Sequence, residues 1–137
     1  MKKILLDTNA VIALFHGDSE VLDCVAAAEC VYVSCVVMGE LYAGFHAGKR
    51  ERSDSLLLEK LLQCSTVEVL PVGTETSDYY GRLFVELRRK GKPVPVNDLW
   101  IAAQTLECGA TLVTFDRHFL GIPTLRVHHI SEVRDDE

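Results

Sequence analysis

The chain has 137 residues, of which 48% are hydrophobic and 25% charged, and this balance fits one globular domain with its own core. The formal net charge of −6 argues against broad nucleic-acid binding, which usually needs a basic surface. Only four apolar residues precede Asp7. That is too few for a signal peptide or a membrane span, so we expect a cytoplasmic protein.

Short apolar runs alternate with helical patterns along the chain. Strands are predicted at residues 3–6, 31–33, 67–69, 111–114 and 125–127. Helices are predicted at residues 9–16, 19–28, 36–47, 52–62, 74–90 and 98–108, with a short helical turn at 117–120. We expect Gly17, Gly91 and Gly109 to end three of these helices, and Asn97 to cap the start of the helix at 98–108.

This order of elements predicts an α/β fold, with a central parallel sheet of four to five strands and helices on both faces. No linker, internal repeat or low-complexity segment divides the sequence. We therefore expect one domain over residues 1–130, followed by an acidic, frayed tail at residues 131–137.

Four carboxylates lie near the ends of predicted strands or at the starts of predicted helices: Asp7, Glu40, Asp98 and Asp116. Asp7 closes the first strand, Asp116 follows the fourth, Asp98 opens a helix, and Glu40 lies one turn into the helix after the second strand. Because parallel sheets bind ligands at the carboxyl ends of their strands, we expect the four acids to converge. Helix capping is an alternative explanation for Asp98 or Asp116, and solvation is one for Glu40.

Four converging carboxylates have a definite chemical consequence. Two unit charges ~4 Å apart repel by about 4 kcal/mol at an effective dielectric near 20, so such a cluster needs cations or protons. Ligation by oxygen alone favours Mg²⁺ or Mn²⁺ over Zn²⁺. These ions orient a phosphodiester, activate a bound water and stabilise the leaving oxygen. The cluster therefore predicts metal-dependent phosphodiester hydrolysis without a protein nucleophile.

Two further groups of polar residues accompany the acids. Hydrogen-bond donors that would support the metal ligands are Thr8, Asn9, Ser34, Asn97 and Thr114. For Ser34 and Asn97, capping of a helix explains the residue equally well. Candidate contacts to RNA phosphates are Arg88, Arg89, Lys90 and Lys92. These cations would also suit the solvated C-terminus of a helix, so both explanations stay open.

Cysteines and histidines indicate no additional site. The five cysteines are odd in number and contain no C-x-x-C pair, so we expect buried free thiols and no zinc site. The five histidines form no recognisable ligand spacing, and no chemistry is assigned to them: His16, His46, His118, His128 and His129.

Four motifs thus stand in order: Leu-Leu-Asp-Thr-Asn at 5–9, Glu40, the pair Asn97-Asp98, and Val-Thr-Phe-Asp-Arg-His-Phe at 113–119. Together they resemble a PIN domain, and most closely the VapC-type toxins of bacterial and archaeal toxin–antitoxin modules. The resemblance extends from residue 3 to about residue 130. One position departs from the usual pattern, because Phe115 stands where many relatives have asparagine.

The resemblance implies a Mg²⁺- or Mn²⁺-dependent endoribonuclease in which Asp7, Glu40, Asp98 and Asp116 bind metal and Thr114 supports them. It also implies an RNA substrate, a homodimer and a small cognate antitoxin. The helices at 19–28 and 52–62 are candidate surfaces for that partner, although core packing would explain their leucines equally well.

The same residues bear on three other enzyme or binding functions and on a non-catalytic one. A metal-dependent phosphatase of the haloacid dehalogenase type would need a second aspartate where this chain has Asn9. A ribonuclease H-like enzyme would continue its first strand into hairpins, and a phospho-receiver would need paired acids and a late lysine that we do not find. A non-catalytic, PIN-like RNA-binding module is the remaining alternative, and the complete set of four acids argues against it.

Overall fold

A five-stranded parallel sheet forms the centre of the computed structural model, which describes residues 1–49 and 52–131. The strands are β1 (Lys3–Leu6), β2 (Cys30–Ser34), β3 (Val67–Leu70), β4 (Thr111–Thr114) and β5 (Val127–His129). The helices are α1 (Thr8–Phe15), α2 (Ser19–Ala27), α3 (Cys35–His46), α4 (Arg52–Leu62), α5 (Thr74–Arg89) and α6 (Val96–Cys108). A short 3₁₀ helix follows at Arg117–Gly121. The predicted α/β fold with a parallel sheet flanked by helices is confirmed.

The strand order β3-β2-β1-β4-β5 places β1 in the middle of the sheet. Ile4 of β1 pairs with Val31 of β2 on one side and with Thr111 of β4 on the other. The chain first steps from β1 through β2 to β3, then returns past β1 to β4. This reversal opens a crevice at the carboxyl ends of β1 and β4, which is where α/β proteins bind ligands.

The central strands are apolar because both faces of a parallel sheet are covered. Ile4, Leu5 and Leu6 are 0% exposed, as are Leu112 and Val113 of β4. Each buried CH₂ group of these side chains contributes about 0.8 kcal/mol to the stability of the fold, so the strands are held firmly in the interior. The residues that follow the strands are therefore fixed in space.

Helices α5 and α6 pack antiparallel. Near the start of α5, Thr76 donates a hydrogen bond to Glu107 at the end of α6, over 2.6 Å. One turn further, the rings of Tyr80 and Trp100 stack with centroids 4.0 Å apart. The C-terminal end of α5 therefore lies beside the first turn of α6, the turn that carries Asp98.

Some local predictions were wrong. Asn97 is not the N-cap of α6, because the helix begins at Val96 and Pro95 takes the cap position with φ −52°. Pro95 has ψ 147°, the extended backbone that is typical of an N-cap residue. Strand β5 starts at Val127, later than predicted, since Leu125 belongs to a turn in which its N–H bonds the carbonyl of Ile122.

The prediction that the cysteines are buried needs correction, and most of the predicted tail lies outside the described residues. All five cysteines are free, as expected, but Cys35 and Cys64 are exposed and only Cys24 is fully buried. Phe84 of α5, next in sequence to the buried Leu83, is 42% exposed. Most of the predicted acidic tail, residues 132–137, lies outside the described residues. Within residues 1–49 and 52–131, no helix combines the length and apolar character needed to cross a bilayer.

Candidate metal centre

Asp7 stands at the carboxyl end of β1 with 6% of its surface exposed. Its Oδ1 accepts a hydrogen bond from the N–H of Ala10 over 2.9 Å, so the carboxylate also caps α1. Its Oδ2 accepts a hydrogen bond from the hydroxyl of Thr114, the last residue of β4. The Asp7 carboxylate is therefore held by the first turn of α1 and by the end of β4, and has little rotational freedom.

Asp116 lies two residues beyond β4 and is positioned by the same threonine. Its N–H donates to Thr114 Oγ1 over 2.9 Å, and its Oδ1 accepts from the N–H of His118 over 2.9 Å. The imidazole of His118 lies against the acids as well, with Nδ1 3.0 Å from Asp116 Oδ1 and 3.8 Å from Asp98 Oδ2. The 3₁₀ helix thus brings a ring nitrogen to carboxylates from two elements.

Glu40 reaches the cluster from α3. Thr8 Oγ1, at the start of α1, donates a hydrogen bond to Glu40 Oε1. Asn97 Nδ2, in the first turn of α6, lies 3.4 Å from Glu40 Oε2 and donates to it. The Glu40 carboxylate is thereby held between the starts of two helices.

The four acids influence one another electrostatically. The pKa of Asp7 is raised to about 6: burial raises it most, the hydrogen bonds from Thr114 and Ala10 oppose the rise, and the charges of Asp116 and Asp98 add to it. Burial also raises the pKa of Asp98, as do Asp116 and Glu40, against the opposing effect of His118. Crowded carboxylates with raised pKa values are a favourable environment for a cation.

The donor set fits a divalent ion. One ligand atom each from Asp98, Asp116 and His118 lies within 4.8 Å of the others. Two atoms that bind the same ion over about 2.0–2.6 Å can be at most roughly 5 Å apart. The three ligand atoms meet this limit, so they can bind one ion together. Beside them opens a cleft of about 440 Å³ lined by Asn9, Phe115, Asp116, Arg117, His118, His129 and Ser131.

The expected supporting residues divide into two groups. Thr8, Asn97 and Thr114 hydrogen-bond directly to the acids, and Asn9 is exposed at the rim of the cleft. Ser34 instead accepts from the N–H of Val36, and its hydroxyl donates to Gln104 of α6. The side chain of Gln104 in turn bonds the carbonyls of Leu70 and Pro71 over 3.1 and 3.2 Å. The contacts of Ser34 match the capping alternative.

The predicted phosphate contacts lie at the C-terminal end of α5 and just beyond it. Arg88, Arg89, Lys90 and Lys92 are all exposed. Lys90 pairs with Glu86 over 3.2 Å, and the guanidinium of Arg88 lies 5.9 Å from the ring centroid of Phe84. Arg88 lies in a groove with Leu99, the residue after Asp98, whereas Arg89 and Lys90 line a different cleft, whose other lining residues belong to α5.

His118 and Gln104 were missed by the sequence analysis. The sequence feature that could have indicated His118 is its position two residues after Asp116. At that spacing, the 3₁₀ helix brings His118 back against the Asp116 carboxylate. No local signal pointed to Gln104, which reads as one more polar residue on a helix.

Comparisons with known proteins agree with this geometry. Residues 4–124 match the PIN domain. The chain is 32% identical to ribonuclease VapC2 of Rickettsia felis, with 88% of this chain and 92% of the relative covered. It is 30% identical to ribonuclease VapC5 of Mycobacterium tuberculosis, with 86% of each covered.

One solved structure is similar to this chain over most of its length. It is the crystal structure of VapBC2 from Rickettsia felis bound to a DNA fragment from their promoter. The match has a TM-score of 0.79 at 30% identity and covers 93% of this chain and 98% of the other. The resemblance seen in the sequence is confirmed, and the chain belongs to the PIN domain family as a VapC-type member.

Proposed function

We propose that this protein is a metal-dependent endoribonuclease and the toxin of a toxin–antitoxin module. The observation that carries the proposal is the mutual influence of four acids: burial, Asp116 and Asp98 raise the pKa of Asp7, and burial, Asp116 and Glu40 raise the pKa of Asp98. Relatives that share most of the chain are named ribonucleases, which agrees with this chemistry. We assign the activity to residues 1–130 as one nuclease domain.

The proposed cofactor is Mg²⁺ or Mn²⁺, held by the four carboxylates with His118 beside them. A bound ion of this kind would supply Lewis acidity, which lowers the pKa of a water and stabilises the leaving oxygen. Asp98 and Asp116 present the ligand atoms that lie close enough to share one ion. Asp7, with a pKa of about 6, is ionised at neutral pH and adds negative charge from the buried side.

The remaining polar residues of the site keep the carboxylates in place. Thr114 fixes Asp7 and the backbone of Asp116 together. Thr8 and Asn97 orient the two oxygens of Glu40. Such hydrogen bonds typically change metal affinity or activity by 10–100-fold when removed. Exposed Asn9, at the rim, is placed to contact substrate.

The proposed partners are RNA, a cognate antitoxin and a second copy of the chain, all in the cytoplasm. The relative from Rickettsia felis is described as a VapBC pair, which supports the antitoxin. Leu58 and Leu61 of α4 are core residues, but Leu56 of α4 and Leu22 of α2 are 52% and 43% exposed and offer apolar surface to a partner. Expression with the neighbouring genes should yield a complex, and isolation of this chain alone would count against an antitoxin.

Neither alternative function is favoured. A phosphatase acting through phospho-aspartate needs an acid at position 9, where Asn9 is exposed and uncharged. A purely RNA-binding module has no use for four buried or half-buried carboxylates, because uncompensated charges of this sign repel phosphates.

The decisive experiment is cleavage of a labelled pool of structured RNAs in Mg²⁺, in Mn²⁺ and in EDTA. Asp98→Asn is the test variant, and Asp78→Asn is its control, since Asp78 is an exposed acid paired with Arg82 on α5. We expect metal-dependent cutting that Asp98→Asn abolishes and Asp78→Asn retains. Cutting that survives EDTA and Asp98→Asn would overturn the metal mechanism.

A further inference from the structure

An apolar groove lies between the C-terminal end of α5 and the N-terminal end of α6. Its volume is about 340 Å³, and it is lined by Phe84, Arg88, Pro93, Val94 and Leu99. Leu99 directly follows Asp98 in the first turn of α6. The groove and the metal centre therefore each take a residue from the same turn of α6.

Planar side chains form a row that ends at this groove. Trp100 stacks on Tyr80, and Tyr80 is nearly parallel to Phe84, with centroids 6.2 Å apart and an interplanar angle of 23°. The Arg88 guanidinium lies 5.9 Å from the Phe84 centroid. Phe84 is 42% exposed, so part of its ring is open to solvent. Exposed aromatic and guanidinium planes are the surfaces on which unpaired nucleobases stack.

The charge around the groove suits the same ligand. Arg88, Arg89, Lys90 and Lys92 fall within five consecutive positions of a chain whose formal net charge is −6. Basic residues beside an aromatic platform hold the backbone of a single strand while its bases stack.

The groove is also small, at the lower end of the roughly 300–1,000 Å³ typical of small-molecule pockets. That volume fits one ring system and is too small for a helix of a protein partner.

We propose that the groove holds an unpaired nucleobase of the RNA substrate, adjacent to the phosphodiester bond that the metal centre addresses. This inference rests on the ribonuclease function proposed above. Phe84 and Arg88 supply the stacking planes, while Pro93, Val94 and Leu99 form the apolar walls. Arg88 lines the groove, and its positive charge, with that of the nearby Arg89, Lys90 and Lys92, attracts the neighbouring phosphates.

The test compares binding of two single-stranded probes, a short oligoadenylate and an abasic strand of the same length and charge. Fluorescence anisotropy in EDTA measures affinity without cleavage. The variants are Phe84→Ala, Phe84→Leu and Phe84→Trp. Val85→Ala is the matched control, because Val85 is 44% exposed on the same helix and lies outside the groove. Thermal melting verifies that each variant is folded.

We expect Phe84→Ala to weaken oligoadenylate binding roughly five- to hundredfold, the range expected when one stacking contact is lost. Binding of the abasic strand should stay unchanged. Phe84→Leu should behave like Phe84→Ala, because leucine is apolar but not planar, whereas Phe84→Trp should retain affinity. Val85→Ala should change neither probe.

Two results would overturn the inference. Equal weakening of both probes by Phe84→Ala would mean that the groove does not contact bases. Unchanged RNA binding together with a monomeric Phe84→Ala variant, in sedimentation velocity, would assign the face to a second copy of the chain. Failure of the wild type to cut RNA in Mg²⁺ or Mn²⁺ would instead count against the proposed nuclease function, so the two failures are distinguishable.

Discussion

The hydroxyl of Thr114, at the end of β4, donates a hydrogen bond to the carboxylate of Asp7, at the end of the neighbouring strand β1. The same hydroxyl oxygen accepts the N–H of Asp116. One buried side chain therefore links two of the four acids across the crevice. Its removal should affect the metal centre more than the fold.

Thr114→Val tests this link, because valine keeps the shape and loses both hydrogen bonds. Without the donated bond the pKa of Asp7 should rise further, since that bond lowers it in the wild type. We expect metal affinity to fall about 10–100-fold, the typical effect of losing a residue that orients a ligand. Calorimetric titration with Mn²⁺ measures it.

The control for Thr114→Val is Thr105→Val. Thr105 is equally buried, but its hydroxyl donates to the carbonyl of Ile101 within α6. Thr114→Ser, which keeps the hydroxyl, should retain most of the affinity. A Thr114→Val protein that binds Mn²⁺ as tightly as Thr105→Val would contradict the role given to Thr114.

Asp7 makes the metal-free protein less stable at high pH. Its pKa is about 6 in the fold against an ordinary value of 3.8. Between these values the native state binds more protons than the unfolded chain, so stability rises as pH falls through about 6. Above about pH 6, Asp7 is ionised in both the native and the unfolded state, so the loss of stability that it causes no longer changes with pH. Two pKa units correspond to about 3 kcal/mol, which is an upper limit for this one group.

Asp7→Asn removes this charge and keeps an oxygen that can cap α1. In EDTA, the variant should be more stable than the wild type by up to about 3 kcal/mol near pH 8 and lose most of that advantage near pH 4. Urea unfolding across this pH range measures it, and cleavage should be absent. An equal stability difference at all pH values would show that ionisation of Asp7 is not the cause.

Metal binding should release protons and strengthen as pH rises. Asp7, with its pKa of about 6, and Asp98, with its raised pKa, must be ionised to hold a cation. Below about pH 6, affinity for Mg²⁺ should therefore fall roughly tenfold per pH unit for each proton displaced. Titration calorimetry in two buffers of different ionisation enthalpy counts those protons. A pH-independent affinity between about 5 and 7 would contradict the assignment of Asp7 as a ligand.

His118 should make the site prefer Mn²⁺ over Mg²⁺. Its ring nitrogen lies 3.0 Å from Asp116 Oδ1, close enough to share an ion. Imidazole binds transition metals well, whereas Mg²⁺ prefers oxygen ligands. His118→Ala should thus weaken Mn²⁺ binding more than Mg²⁺ binding. His16→Ala is a suitable control, since His16 is an exposed histidine that pairs with Asp54 of α4. Equal losses for both ions would show that His118 only positions the carboxylates.

The fold could be predicted because each element carries its own local signal. The central strands are apolar runs buried on both faces, and residues such as Asp7, Asp18 and Ser34 begin the helices that follow by capping them. The expectation that the acids converge followed from the rule that parallel strands share one carboxyl edge.

The remaining features depend on contacts between distant segments. Ser34 pairs with Gln104, 70 residues away, and nothing in the local sequence of either residue indicates it. The proximity of His118 to Asp98 depends on how the 3₁₀ helix packs beside α6. The exposed ring of Phe84 lies at the helical spacing of a core residue, and only the packing of α5 on α6 leaves it open to solvent.

Ser34→Ala distinguishes a structural serine from one that supports the metal centre. The substitution removes the cap of α3 and leaves Oε1 of buried Gln104 without its donor. Loss of a cap costs about 1 kcal/mol and an unpaired buried acceptor about 1–3 kcal/mol, so stability should fall by roughly 2–4 kcal/mol in urea unfolding. Because both contacts of Ser34 lie away from the acids, affinity for Mn²⁺ in the folded variant should not change. A loss of affinity comparable to that of Thr114→Val would instead place Ser34 among the residues that support the ligands.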